Sequence, residues 1–210
     1  MTHNAPELVN ASLQGNLAEV QQLVESGADV NSTDQHGMGP LLTFTPAVIE
    51  YLLSQGADPN LQTNENGAPV LSGIAYMNNV ECVRLLLEGG ANPNATHPKT
   101  GETPLHSSLA RGADVPEDDR HQVISLLLKH GADPNSRTIA GIPTAAFWRD
   151  VRTRGETPLH RASAFASKET IQLLLDSGAD KSIRDANHDS PQSWASWHWR
   201  DFDVVDLLKV

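Results

Sequence analysis

Cysteine is almost absent from the chain: Cys82 is the one thiol in 210 residues. A single thiol forms no internal disulfide and rules out a zinc site built from several thiolates, which suits a reducing compartment. Cations are scarce as well, with 15 Lys and Arg against 26 Asp and Glu. The resulting net charge of −11 argues against nucleic-acid binding by phosphate neutralisation, which needs a basic face. No apolar run approaches the roughly 20 residues of a membrane helix. The opening residues Met1-Thr2-His3-Asn4-Ala5-Pro6 lack the basic region and apolar core of a signal peptide. The expectation is the whole chain working in the cytoplasm, without membrane or nucleic acid as partner.

The shortage of cations is uneven. Residues 1–105 hold only Arg84 and Lys99 against eleven acidic residues, so nearly all the net charge lies in the first half. Aromatics make up 5% of the chain, and three of the four Trp fall among its last 17 residues.

What is abundant is self-similarity, the feature to seek before secondary structure. Gly27-Ala28-Asp29-Val30-Asn31 returns as Gly56-Ala57-Asp58-Pro59-Asn60, Gly90-Ala91-Asn92-Pro93-Asn94 and Gly131-Ala132-Asp133-Pro134-Asn135, then in decayed form as Gly178-Ala179-Asp180-Lys181-Ser182. An apolar segment precedes each copy, as at Val83 to Leu87 and Ile171 to Leu175. A second element, Thr103-Pro104-Leu105-His106, recurs as Thr157-Pro158-Leu159-His160, with degenerate versions at Gly39-Pro40 and Ser190-Pro191. Thr before Pro supplies an N-cap oxygen, and Pro at the first helical position loses an N–H that had no partner anyway. The apolar segment predicts a second helix, and the Gly after it a left-handed C-terminal residue. The Asp and Asn that follow favour tight turns. One such helix pair cannot bury its apolar face alone, so neighbours must stack into a continuous core.

On these motifs the chain resembles the ankyrin-repeat family from about Leu8 to Leu208. The resemblance implies an all-α solenoid with hairpin-like fingers, in a single domain of six repeats near 5–33, 34–66, 67–99, 100–137, 153–186 and 187–210. It also implies a hydrogen-bonding role between units for His106 and His160. Three places depart from regular spacing. Pro40 to Gly56 is short, which predicts a bend at Thr43 to Pro46 in place of a full first helix. About seven extra residues predict an acidic solvated loop near 112–119. About 14 extra residues lengthen the fourth finger near 139–153, and they include Phe147-Trp148-Arg149.

Nine histidines form no His-Glu-x-x-His or Cys-x-x-Cys pattern, and no Gly-x-Ser-x-Gly or phosphate-binding loop is present. No catalytic, cofactor or metal residues are assigned, and Cys82 reads as a half-buried structural thiol beside Glu81 and Glu88. The chain is expected not to be an enzyme.

Members of the family bind partners through the concave face formed by the fingers and the ends of the first helices. Carried over position by position, that implies partner contacts at Tyr76, Met77, Arg111, Phe165, Trp197 and His198, joined by Phe147, Trp148, Arg149, Arg152 and Arg154 of the finger insertion. Aromatic and Arg side chains are the usual carriers of interface energy. Trp194 takes a core Leu position and reads as packing. Arg161 also takes a Leu position and is expected to turn towards the groove beside Arg149, Arg152 and Arg154.

The function expected is a protein-interaction module, monomeric when free, that masks or inhibits a protein partner, for example as an immunity- or antitoxin-like protein. Its partner would present a basic surface to residues 1–105. A host-directed effector or signalling adaptor is the alternative within that class; an enzyme or small-ligand binder with its site at the finger insertion is the alternative outside it.

Overall fold

Six of the described helices start at a residue whose side chain bonds a free N–H of the first turn. In the computed structural model, which describes residues 5–63, 67–110, 115–144 and 152–210 (Gln62 and Thr63 by backbone only), the helices come in antiparallel pairs. These are α1 (Ala5–Leu13) with α2 (Leu17–Glu25), α4 (Val70–Tyr76) with α5 (Val80–Glu88), α6 (Pro104–Ser108) with α7 (Glu117–Lys129), α8 (Pro158–Phe165) with α9 (Lys168–Asp176), and α10 (Pro191–Trp197) with α11 (Phe202–Leu207). α3 (Pro46–Ser54) lacks a first partner: Leu41 and Thr43 are buried in a turn where a helix would lie, and the Thr43 hydroxyl donates to Ser12 O at 2.6 Å. β1 (Gln62–Thr63) and β2 (Ala68–Pro69) pair antiparallel in one finger.

First and second helices use different start signals. α6, α8 and α10 begin with Pro after Thr103, Thr157 and Ser190, each closing a capping box with the residue at the third helical position. α2, α5 and α9 are capped by Asn16, Asn79 and Ser167, whose side chains accept from Glu19, Cys82 and Thr170 N–H. At the other end of each second helix, Gly27, Gly56, Gly90, Gly131 and Gly178 take φ between 86° and 95°, which a residue with a Cβ adopts only at a cost.

Stacking makes the core. α3, α5, α7 and α9 lie side by side, as do α4 with α6 and α8 with α10. Ile49, Leu52, Val83, Leu86, Val123, Leu127, Ile171 and Leu174 run through the stack fully buried. Each such side chain contributes about 1.5–3 kcal/mol by leaving water. Cys82 is fully buried, deeper than the half-buried position read from its sequence, because it faces this stack; burial first, then Glu81, raises its thiol to about 11.

A ladder of asparagines ties the fingers together. Asn31, Asn60, Asn94 and Asn135 each accept from a backbone N–H of the next copy (Asp58, Asn92, Asp133, Asp180) at 2.8 Å. Each donates from Nδ2 to the preceding Gly carbonyl of that copy (Gly56, Gly90, Gly131, Gly178) at 2.8–3.2 Å. Ser182, which takes the Asn position in the fifth copy, makes no such rung. Asn94→Ala removes two hydrogen bonds and should lower the unfolding free energy by about 1–2 kcal/mol. Asn94→Asp, which keeps only the acceptor, should fall between, as read from urea midpoints at constant slope.

Part of the acidic segment differs from the loop expected near 112–119, of which residues 112–114 lie outside the described residues. Glu117, Asp118 and Asp119 form the first turn of α7, where negative charge is favoured by the helix dipole. Glu117 is also a contact between units, accepting from Ser167 N at 2.7 Å and Thr170 Oγ1 at 3.2 Å.

Candidate functional site

The stem of the finger insertion is fastened to the finger before it and borders a hollow with residues of α4 and α6. Ile139 N donates to Thr100 O at 2.7 Å, Gly141 N to Thr153 O at 2.6 Å, and Thr153 N to Ile142 O at 2.9 Å. Pro143 and Arg152 form an antiparallel bridge, and Arg152 Nη1 donates to Gly141 O at 2.7 Å. A Cβ on Gly101 would lie 3.1 Å from Ile139 N, so the stem rests directly on the preceding finger.

Beneath the stem lies a buried ionic knot. Arg161 is fully buried and does not turn into the groove; its guanidinium reaches Glu156 Oε1 at 2.7 and 3.1 Å, Glu102 Oε1 at 2.6 Å and His106 O at 3.1 Å. The remaining carboxylate lone pairs are taken by hydroxyl and backbone donors: Thr138 Oγ1 and Arg154 N on Glu156, both at 2.6 Å, with Thr100 and Thr144 on Glu102. Arg161 stands where a Leu is expected because two carboxylates, one fully buried and one mostly so, require a cation there. Burial alone would raise both Glu pKa values, yet the guanidinium and these donors hold Glu102 below the usual range and Glu156 at about 2.

His106 and His160 repeat one device. Each Nδ1 meets its own Thr hydroxyl at 2.9 Å, and each Nε2 meets a carbonyl of the following finger, Glu156 O at 3.2 Å and Asp189 O at 3.1 Å. Burial lowers both, His106 to about 4 with Arg161 adding to the effect.

The residues expected at the groove fall into separate places. Tyr76 is half-buried at the end of α4 and lines a hollow of about 460 Å³ with Ile142 and Pro143; Met77 beside it is 46% exposed. Arg152 and Arg154 line a second hollow of about 550 Å³ between the stem and Ala186-Asn187 of the next finger. Arg154 also lies 5.8 Å above the Trp194 ring, so part of its surface is spent inside the chain. Phe165 and His198 meet edge to face at 4.7 Å, and Trp197 is 53% exposed. Arg111, Phe147, Trp148 and Arg149 lie outside the described residues. Trp194 is buried, its indole N–H on Asp185 Oδ2 at 3.1 Å. Sequence reasoning left Trp199 out of the site: it is 94% exposed with φ 55°, a left-handed backbone that costs a bulky residue about 1–2 kcal/mol.

Models of ankyrin repeats match residues 43–138, as three copies, and 154–186, as one. The chain belongs to the ankyrin-repeat family. Ankyrin repeats are protein-interaction modules and generally not enzymes. Similar proteins include the E3 ubiquitin-protein ligase KEG of Arabidopsis thaliana, 30% identical over 71% of this chain and 9% of that protein. The mouse B-cell lymphoma 3 protein homolog is 26% identical over 90% of this chain and 38% of its own length. The chicken nuclear factor NF-kappa-B p105 subunit is 27% identical over 78% and 15%. The chain thus spans well under half the length of these relatives. Among the described residues no helix is long and apolar enough to cross a membrane.

Proposed function

We propose that this ankyrin-repeat chain holds one protein partner along its concave face and acts by masking it, as an inhibitor does. The observation that carries the reading is the finger insertion: its stem is fastened across the fingers at Thr100 and Glu102 and leaves two hollows, lined by Tyr76 on one side and by Arg152 and Arg154 on the other. A regular array has no need of such a stem. The partner meets an acidic first half, so its facing surface is basic, and long-range attraction speeds encounter. The arginine hollow takes an acidic or aromatic part of the same partner. The chain is monomeric when free and works in the cytoplasm.

Joint replacement of Tyr76, Trp148, Arg149 and Phe165 by Ala tests this. Partner affinity, measured by titration calorimetry against the captured protein, should fall at least about tenfold. The thermal unfolding midpoint should fall by only about 4–8 °C, since Tyr76 and Phe165 are half-buried. Undiminished binding by the quadruple variant would remove the groove from the function.

A further inference from the structure

We infer that the hollow beside Tyr76 is a subsite for a single tyrosine side chain of the partner. The inference rests on the groove reading above and adds what that part of the groove recognises.

The hollow, about 460 Å³, lies within the roughly 300–1,000 Å³ typical of pockets for small groups, enough for one aromatic side chain with water and too small for a helix. Its apolar walls are Tyr76, Ala68 and the stem residues Ile142 and Pro143. These suit a flat ring, because aromatic rings stack well on Tyr and Pro faces and dominate interface energetics.

A second observation points to a polar tip on that ring. Ser72 lines the hollow, is 8% exposed, and its Oγ has no hydrogen-bond partner. Buried hydroxyls in native proteins are nearly always satisfied, so an orphan on a residue that lines a hollow points to a bond that a ligand atom completes once the side chain turns to meet it. Ser107, from α6, also lines the hollow and offers a further hydroxyl.

Charge selects against the other candidates. The Glu102 carboxylate lines the hollow, and its oxygens are already occupied by Arg161, Thr100 and Thr144. An acidic side chain entering there meets a like charge. A guanidinium or ammonium meets Lys99 on the rim and finds no free carboxylate lone pair to donate to. His97 Nδ1 accepts from Lys99 N–H and Thr100 N–H, which leaves Nε2 as the ring's donor. An uncharged ring tipped by a hydroxyl meets neither penalty and can accept from such donors.

The test uses the full chain, ¹⁵N-labelled, titrated at millimolar concentration with N-acetyltyrosinamide, N-acetylphenylalaninamide and N-acetylglutamic α-amide. The tyrosine compound should give saturable shifts at the Ser72, Gly73 and Thr144 amides, with the phenylalanine compound roughly threefold to tenfold weaker, the range for one hydrogen bond. Ser72→Ala should bring tyrosine affinity down to the phenylalanine level while leaving the thermal midpoint equal or higher, since it deletes an orphaned hydroxyl. Ser107→Leu should fill part of the hollow and abolish the shifts. Absence of saturable shifts, equal or tighter binding of the phenylalanine or glutamic compound, or unchanged tyrosine affinity in Ser72→Ala overturns the assignment. No partner is present in the titration, so its failure removes the tyrosine subsite and leaves the groove to be judged by the quadruple alanine variant.

Discussion

Arg161→Ala should cost about 3–5 kcal/mol of unfolding free energy, far more than any surface charge in the chain. The guanidinium it removes is fully buried and bonded to two carboxylates and a carbonyl. Without it, Glu156, itself fully buried, keeps only Thr138 Oγ1 and Arg154 N–H to offset a charge in low dielectric. Contrast Arg84, which pairs with Glu81 and Glu88 in the open, 37% exposed; Arg84→Ala should cost no more than about 1 kcal/mol. Chains of this size lose about 2–4 °C per kcal/mol, so the Arg161→Ala midpoint should fall by about 10 °C while that of Arg84→Ala barely moves. Adding Glu156→Gln to Arg161→Met removes one charge of each sign together, keeps an acceptor for Thr138, and should recover part of the loss. The insertion stem hangs on the same knot through Thr138 and Thr144, so hydrogen exchange at Ile139, Gly141 and Thr153 should quicken in Arg161→Ala before the distant α2 and α3 respond. A loss of under 1 kcal/mol, or uniform loosening of the whole array, would show that the knot does not hold the stem.

The helices and their stacking are legible in the sequence because their causes are local. Thr-Pro marks a helix start, Gly a left-handed exit, and the apolar segment between them a buried face. The Asn ladder is harder to see. Turn propensity already accounts for Asn in each copy, while its partners lie 25 to 45 residues away. Arg161 shows the limit most clearly. As a lone cation at a Leu position it reads as a groove residue; its partners Glu156 and Glu102 lie 5 and 59 residues away. The signal that finds them is the repeat itself. Glu102 and Glu156 both sit in Gly-Glu-Thr-Pro-Leu-His, so one acid recurs at the same place in adjacent units, and a cation on the following helix can face both. Glu117 reads with its acidic neighbours as solvated loop, because charge density alone does not reveal that the run opens a helix. The groove was legible only as a set of positions. Tyr76 lines one hollow and Arg152 and Arg154 another, and what separates the two is the insertion stem, whose path no local pattern encodes.

The same knot makes the fold sensitive to acid, and two kinds of group act with one sign. His106 is held neutral, its folded pKa of about 4 lying below the ordinary 6.5. Between those values the unfolded chain binds a proton that the folded chain refuses, so stability is lost as pH falls from about 6.5 towards 4. His160, also lowered by burial, adds to this loss. Glu156, at about 2 in place of 4.5, and Glu102, lowered by the same guanidinium, stay charged in the fold where the unfolded chain takes up protons. Their contribution is complete above about 4.5 and disappears as pH falls towards 2. Thermal midpoints should therefore be level from about pH 7 to 8, decline gently below about 6.5 and steeply below about 4.5. His106→Gln, which keeps a hydrogen-bonding side chain without titrating, should flatten the first segment and leave the second. Arg161→Met with Glu156→Gln should do the reverse, because His106 stays buried while the strongest carboxylate is gone. A profile flat down to pH 4 in the wild type would mean that His106 takes up its proton inside the fold, which its full burial beside Arg161 opposes.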